Sequence, residues 1–184
     1  MEDLQQVRAL NANLQYRLRI LQQRSDGAPV PLSGQSIPST LDGFEDWCRE
    51  NLSGAVEVHN RAFKAVKKSR YEDESLLYRA LLLLRDFYVP MRIEGGLDKK
   101  QAFEDKCAEL GISEEPTFSG ERWGEQGEMY KVRYAGRFRL LDRHFKKGTS
   151  REERHCFRLY FFWDEETEQA VVGWLPSHLD TRAT

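Results

Sequence analysis

What this chain lacks narrows its function first. No run of about 18 apolar residues occurs, and the longest apolar cluster, LLYRALLLLRDFYV, is interrupted by Arg79, Arg85 and Asp86, so no membrane span is expected. The N-terminal MEDLQQVRALN carries acids where a secretory leader needs a basic start and an apolar middle, which points to a cytoplasmic protein. Three cysteines, Cys48, Cys107 and Cys156, lie far apart and form no CxxC pair. That spacing argues against a disulfide framework and a zinc knuckle, and reads all three as small buried hydrophobes. Neither GxxxxGK[ST] nor a strand-GxGxxG-helix context is present, so no nucleotide-phosphate loop is supported. His144 and His155 with Asp142 or Asp180 match no zinc spacing, and the sequence calls for no metal and no cofactor.

What is present is a segregated charge. Between Lys131 and Arg158 ten Lys/Arg stand against three acids, a local +7 in a chain of net charge −2, so everything else sums to −9. A small sheet that offers one face to phosphates shows this balance. So does a solvated face whose arginines pair with the acids elsewhere in the chain.

At 184 residues and 40% hydrophobic, the chain can bury one sizeable core. Residues 1–24 read as an association helix, with Leu4, Val7, Leu14, Leu18 and Leu21 on heptad a and d positions and Asn11 at the intervening a. Residues 25–40, rich in Pro, Gly and Ser, read as a flexible linker. Residues 41–184 then form a single α+β domain. Its helical part, 41–111, holds four predicted segments: one capped by Ser39 or Thr40 and stopped at Ser53-Gly54; AVEVHNRAFKAVKKS; Asp73 to Val89, stopped before Pro90; and Asp98 to Gly111. Residues 112–128 read as turns.

A basic antiparallel sheet of about four strands is expected over 129–180. Tyr130, Val132 and Tyr134 line one side of the first strand, and Ala135-Gly136 makes a tight turn. The second strand runs over Arg137–Arg143, with Phe138 and Leu140 on its apolar side, and KKGTSREE follows as a loop. HCFRLYFFW is apolar on both faces and reads as the central strand, with Arg158 and Tyr160 sharing one side; AVVGW is the fourth.

The closing pattern RLYFFWDEETEQAVVGWLPSHLD, following an Arg-dense sheet, resembles the RelE/ParE-type toxin fold over residues 129–180. Such toxins bind the phosphate of mRNA on the ribosome with arginines and lysines, and a Tyr or His near the C-terminus assists proton transfer. The resemblance implies Arg158 as the strand arginine and His178 as the terminal group, with Tyr160 beside them. The implied activity is a metal-independent endoribonuclease of a bacterial toxin or defence system. His144 and His155 complete the proton-transfer inventory, since RNA cleavage through the 2′-hydroxyl needs a base, an acid and positive charge at the phosphate. Arg137, Arg139, Arg143, Lys146, Lys147, Arg151 and Arg154 are the expected nucleic-acid contacts. The expected partners are RNA or a ribosomal surface and, through residues 1–24, another protein or a second copy. The competing reading is a non-catalytic interaction module that docks a partner through its N-terminal helix.

Overall fold

The computed structural model describes residues 2–25, 37–118, 125–149 and 152–179. They form a mixed α+β fold in which a five-stranded sheet separates two apolar cores. Among them no helix is long and apolar enough to cross a membrane.

The helical layer is built around α4 (Glu74–Leu83). Leu76, Leu77, Tyr78 and Ala80 through Leu83 are all buried, so apolar residues on every side make this the central helix. The Asp73 carboxylate caps it by accepting from the Leu76 amide at 3.2 Å. The predicted stop before Pro90 does not occur. Pro90 has no N–H for the Asp86 carbonyl, and the helix widens into a π turn over Leu84–Tyr88 before continuing as α5 (Val89–Glu94). Tyr88, on that turn, meets Phe161 edge-on at 5.0 Å and Phe103 at 5.6 Å, contacts that hold the helix against the sheet. α6 (Leu97–Leu110) ends at Gly111 in the left-handed region, φ 65°, and buries Phe103 and Cys107 as expected, while Ala102 is exposed. α2 (Phe44–Leu52) starts after Gly43 without a side-chain cap, so neither Ser39 nor Thr40 serves it.

The segment read as one helix from Ala55 begins instead as β1 (Val56–Val58); His59 caps the short α3 (Asn60–Val66) that follows. β1 runs parallel to β7 (Gln169–Trp174), pairing Val56 with Ala170 and Val58 with Val172. β6 (Phe157–Asp164) lies at the centre of the five-stranded sheet, between β7 and β5 (Arg143–Lys147), as its two apolar faces predict. β2 (Ser113–Pro116), from the stretch read as turns, forms the far edge beside β5.

The other strands depart from expectation. β3 (Lys131–Tyr134) and β4 (Arg137–Leu140) pair only with each other, through the two-residue turn Ala135-Gly136, with φ 45° and 75°. The expected second strand breaks at Leu141-Asp142, because Leu141 turns into the core between hairpin and sheet. Phe138, paired with exposed Arg133, lies on the outer face of the hairpin and points to solvent, 75% exposed, while its neighbour Arg139 pairs with buried Val132. Among the described residues of 129–180, five strands stand where about four were expected, divided between two sheets.

The sheet's two sides follow strand alternation. Phe145, Phe157, Leu159, Phe161, Trp163 and Val172 face the helices. Tyr160, Phe162 and Val171 face the hairpin, together with Tyr130, Val132, Leu141 and Leu179. All three cysteines are buried and free.

α1 (Glu2–Ser25) packs on this body. Asn13 Nδ2 donates to the carbonyls of Gly54 (3.1 Å) and Glu168 (3.2 Å), and the Tyr16 hydroxyl donates to the Arg85 carbonyl at 2.9 Å. Of the predicted linker, residues 26–36 lie outside the described residues.

Candidate nucleic-acid interface

Strand register brings four of the twelve predicted site residues, His144, Lys146, Arg158 and Tyr160, to one side of the sheet. Reading across β2, β5, β6 and β7, one row holds Glu115, His144, Tyr160 and Trp174, and the next holds Ser113, Lys146 and Arg158. Paired residues project to the same side, so these chains share the hairpin side of the sheet. The chain after β7 then returns to β6: the Arg158 amide donates to the Pro176 carbonyl at 2.6 Å, and the Trp174 indole donates to the Ser177 carbonyl at 2.9 Å. That return sets His178 beside Tyr160, with ring centroids 6.4 Å apart.

Tyr160 is the hub. His144 stacks on it at 5.3 Å with 21° between planes, and Tyr130 meets its edge at 5.5 Å. Burial pushes the Tyr160 phenol well above its ordinary range, Tyr130 adds to that, and a bond to the Leu179 backbone opposes it. The phenol therefore stays protonated at neutral pH and serves as a hydrogen-bonding group, not as a base. His144 is driven the other way, to about 4, chiefly by burial. Glu115 pulls it back up, while Arg158, Lys146 and His178 press it further down. Its Nδ1 is buried without a hydrogen-bond partner. His178 is exposed, and its Nδ1 lies 2.8 Å from the Leu179 carbonyl, an acceptor that calls for the proton on Nδ1 and leaves Nε2 as the accepting nitrogen of the neutral ring.

The positive charge of the cluster is partly committed. Lys146 Nζ sits 2.6 Å from Glu115 Oε1. Arg158 Nη1 donates to the carbonyls of Phe157 (2.7 Å), Gly148 (3.2 Å) and Lys147 (3.4 Å), which anchors the guanidinium without neutralising it.

Other predicted residues stand elsewhere. Arg143 projects to the helical side, where its bond to Glu114 raises its pKa. Arg139, on β4, donates to Asp164 at 2.8 Å and to the Trp163 carbonyl at 3.3 Å while lying 4.6 Å over the Phe162 ring. Its neighbour Arg137 pairs with Glu166 at 3.4 Å. His155 is not brought to His144: it sits in the turn before β6, exposed, 3.8 Å from Glu72 and 3.7 Å from Glu152. Lys147, on alternate parity to Lys146, and Arg154, in the same turn as His155, enter no ion pair among the described residues. Arg151 lies outside the described residues.

Glu115 and Tyr130 belong to the cluster and were not foreseen. Glu115 lies on a strand formed by a segment whose Pro and acids signal a turn, and nothing local reveals its register with His144. No protein family, curated protein or solved structure matches this chain.

Proposed function

We propose that the C-terminal sheet is a RelE-type RNA-binding face. What supports this is the single row-by-row convergence of Lys146, Arg158, His144 and His178 around Tyr160. In this reading a backbone phosphate lies against Arg158, whose guanidinium is held in place by three carbonyls and keeps its charge. Lys146 exchanges Glu115 for a second phosphate oxygen.

In this reading the chemistry is metal-independent cleavage. His178 Nε2 takes the proton of the 2′-hydroxyl as its oxygen bonds to phosphorus, the bond to the 5′-oxygen breaks, that leaving oxygen takes a proton from solvent water, and Arg158 stabilises the charge that builds on the phosphorus oxygens. His144, held neutral, stacks and positions Tyr160 without adding a repelling cation. The test is cleavage of an end-labelled single-stranded RNA by the intact chain, with fluorescence anisotropy for binding. Arg158→Ala is expected to weaken binding about 10-fold or more, the loss of one charge-assisted contact. His178→Ala is expected to abolish cleavage while binding persists. RNA that is neither bound nor cut at low salt overturns the reading; cleavage surviving both substitutions removes these residues from it.

A second reading has its own observation. Leu4, Val7, Leu14 and Leu18 are 52–58% exposed on α1, which favours an interaction module that docks a partner through this helix.

A further inference from the structure

The helix α1 has two faces with opposite characters. On one, Asn13 and Tyr16 are 3% and 8% exposed and bonded to backbone carbonyls of the body. Arg17 pairs with Glu168 beside them. The seat is close: a Cβ on Gly54 would stand 2.2 Å from the Ala12 carbonyl oxygen, so only glycine admits the helix there. On the other face lie Leu4, Val7, Leu14 and Leu18, with exposed Asn11 in their midst and Leu10, 41% exposed, on the flank. At 3.6 residues per turn this stripe is centred roughly 170° from Asn13 and Tyr16. The helix is thus fastened to its own domain by one side while its heptad seam points away. The Leu21 side chain lies outside the described residues.

We infer that α1 pairs with the α1 of a second copy of this chain, in parallel and in register. The inference rests on the reading of α1 as an association element and names its occupant. Three features select a second copy. First, spacing: residues 4, 7, 11, 14 and 18 keep the 3.5-residue repeat of a two-helix seam, narrower than the stripe a helix lays into a broad apolar groove. Second, Asn11. Only parallel, in-register pairing brings two Asn11 amides together at the seam, where each satisfies the other; an antiparallel or shifted pair sets each amide against Leu or Val and strands it. Third, area. Five apolar side chains at about half exposure leave on the order of 450 Å² per helix, so a pair buries on the order of 900 Å², which the stems of Arg8 and Gln15 carry toward the ~1,000 Å² typical of specific interfaces.

The experiment uses the full chain. Sedimentation at about 100 μM is expected to give twice the chain mass of 21.5 kDa, and Leu14→Asp, on an exposed position, to return it to the single-chain mass without altering the far-ultraviolet spectrum. Leu4→Cys reads orientation. Parallel copies bring the new thiols to one end of the coil, where oxidation links them; antiparallel copies separate them by roughly 30 Å. The native cysteines are buried and stay out of the reaction. Asn11→Leu is expected to lower the Leu4→Cys cross-link yield as other registers become allowed. A dimer that fails to cross-link through position 4, or a cross-link yield indifferent to Asn11→Leu, overturns parallel pairing. A monomer overturns pairing altogether, and the maleimide reactivity of Leu14→Cys then separates the two failures. A fast-reacting thiol leaves α1 open to a different protein, whereas a protected one defeats the association reading as well.

Discussion

The His144 imidazole gives a direct measure of the cluster. Unfolded, it binds a proton near pH 6.5; folded, burial and the neighbouring Arg158, Lys146 and His178 push that to about 4. Between these values the unfolded chain holds a proton that the native chain refuses, so stability falls as pH drops from 6.5 to 4 and the loss is complete below 4. Above 6.5 both states are neutral and His144 contributes no slope. At full strength a displacement of this size is worth about 3 kcal/mol. The ring is only half-buried, so solvent screening reduces the expected contribution to about 1–2 kcal/mol.

The assay is urea unfolding of the intact chain and of His144→Phe at pH 7.5 and pH 4.5. Phenylalanine keeps an aromatic partner for Tyr160 and removes both the titration and the buried Nδ1 that has no partner. The variant is expected to match or slightly exceed the parent at pH 7.5, because eliminating an unsatisfied buried atom offsets the change of ring. At pH 4.5 it should be more stable by about 1–2 kcal/mol. All other ionisable groups are common to both proteins and largely cancel in the difference. Equal losses from pH 7.5 to 4.5 in the two proteins would refute the placement of His144 in a desolvated, cation-lined row.

Two further substitutions examine how the outer elements are held. Gly54→Ala puts a Cβ into the Ala12 carbonyl at a backbone φ of 87°, so α1 must leave its seat; a loss of at least about 1–2 kcal/mol and faster proteolysis within α1 are expected. Asp164→Ala removes the acceptor of Arg139, the Thr167 amide and the Thr167 hydroxyl at a site 3% exposed; about 3 kcal/mol should be lost in thermal unfolding, with exchange of the β3–β4 amides rising most.

What could be foreseen from sequence followed the range of the interactions involved. The alternation of Phe157, Leu159, Phe161 and Trp163 with Arg158, Tyr160 and Phe162 marks β6 because both of its faces are buried, and the pattern is wholly local. The Asp73 cap, the Gly111 stop and the Ala135-Gly136 turn are local too. β1 was hidden because its three residues fall inside a helix-like run and its partner strand lies more than a hundred residues later. Pro90 misled because burial of Tyr88 outweighs the usual stop, at the cost of one π turn. On α1 the leucine seam was visible, but the docking face was not, since Asn13 and Tyr16 bond to carbonyls of distant turns and leave no spacing in sequence.

The basic block shows the same division between local composition and distant partners, and it carries a quantitative consequence. Its net +7 would suggest about seven phosphate contacts and, for single-stranded nucleic acid, a slope of log K against log salt near −5. The fold assigns much of that charge elsewhere: Arg139 to Asp164, Arg137 to Glu166, Arg143 to Glu114 on the opposite side of the sheet. The acids that make the remainder of the chain −9 are among the partners, so the two halves of the charge imbalance partly compensate across elements. At the Tyr160 cluster, Lys146 and Arg158 remain as cations on the shared face. Two contacts predict a slope of about −1.4. Lys146 must first release Glu115, which makes Glu115→Gln an informative companion: it should strengthen RNA binding several-fold and leave the slope nearly unchanged, because the phosphate gains a partner already present. Anisotropy titrations from 50 to 200 mM salt measure both. A slope near −5 would mean that the inter-element ion pairs open on binding, and a slope near zero would mean that Arg158 meets no phosphate.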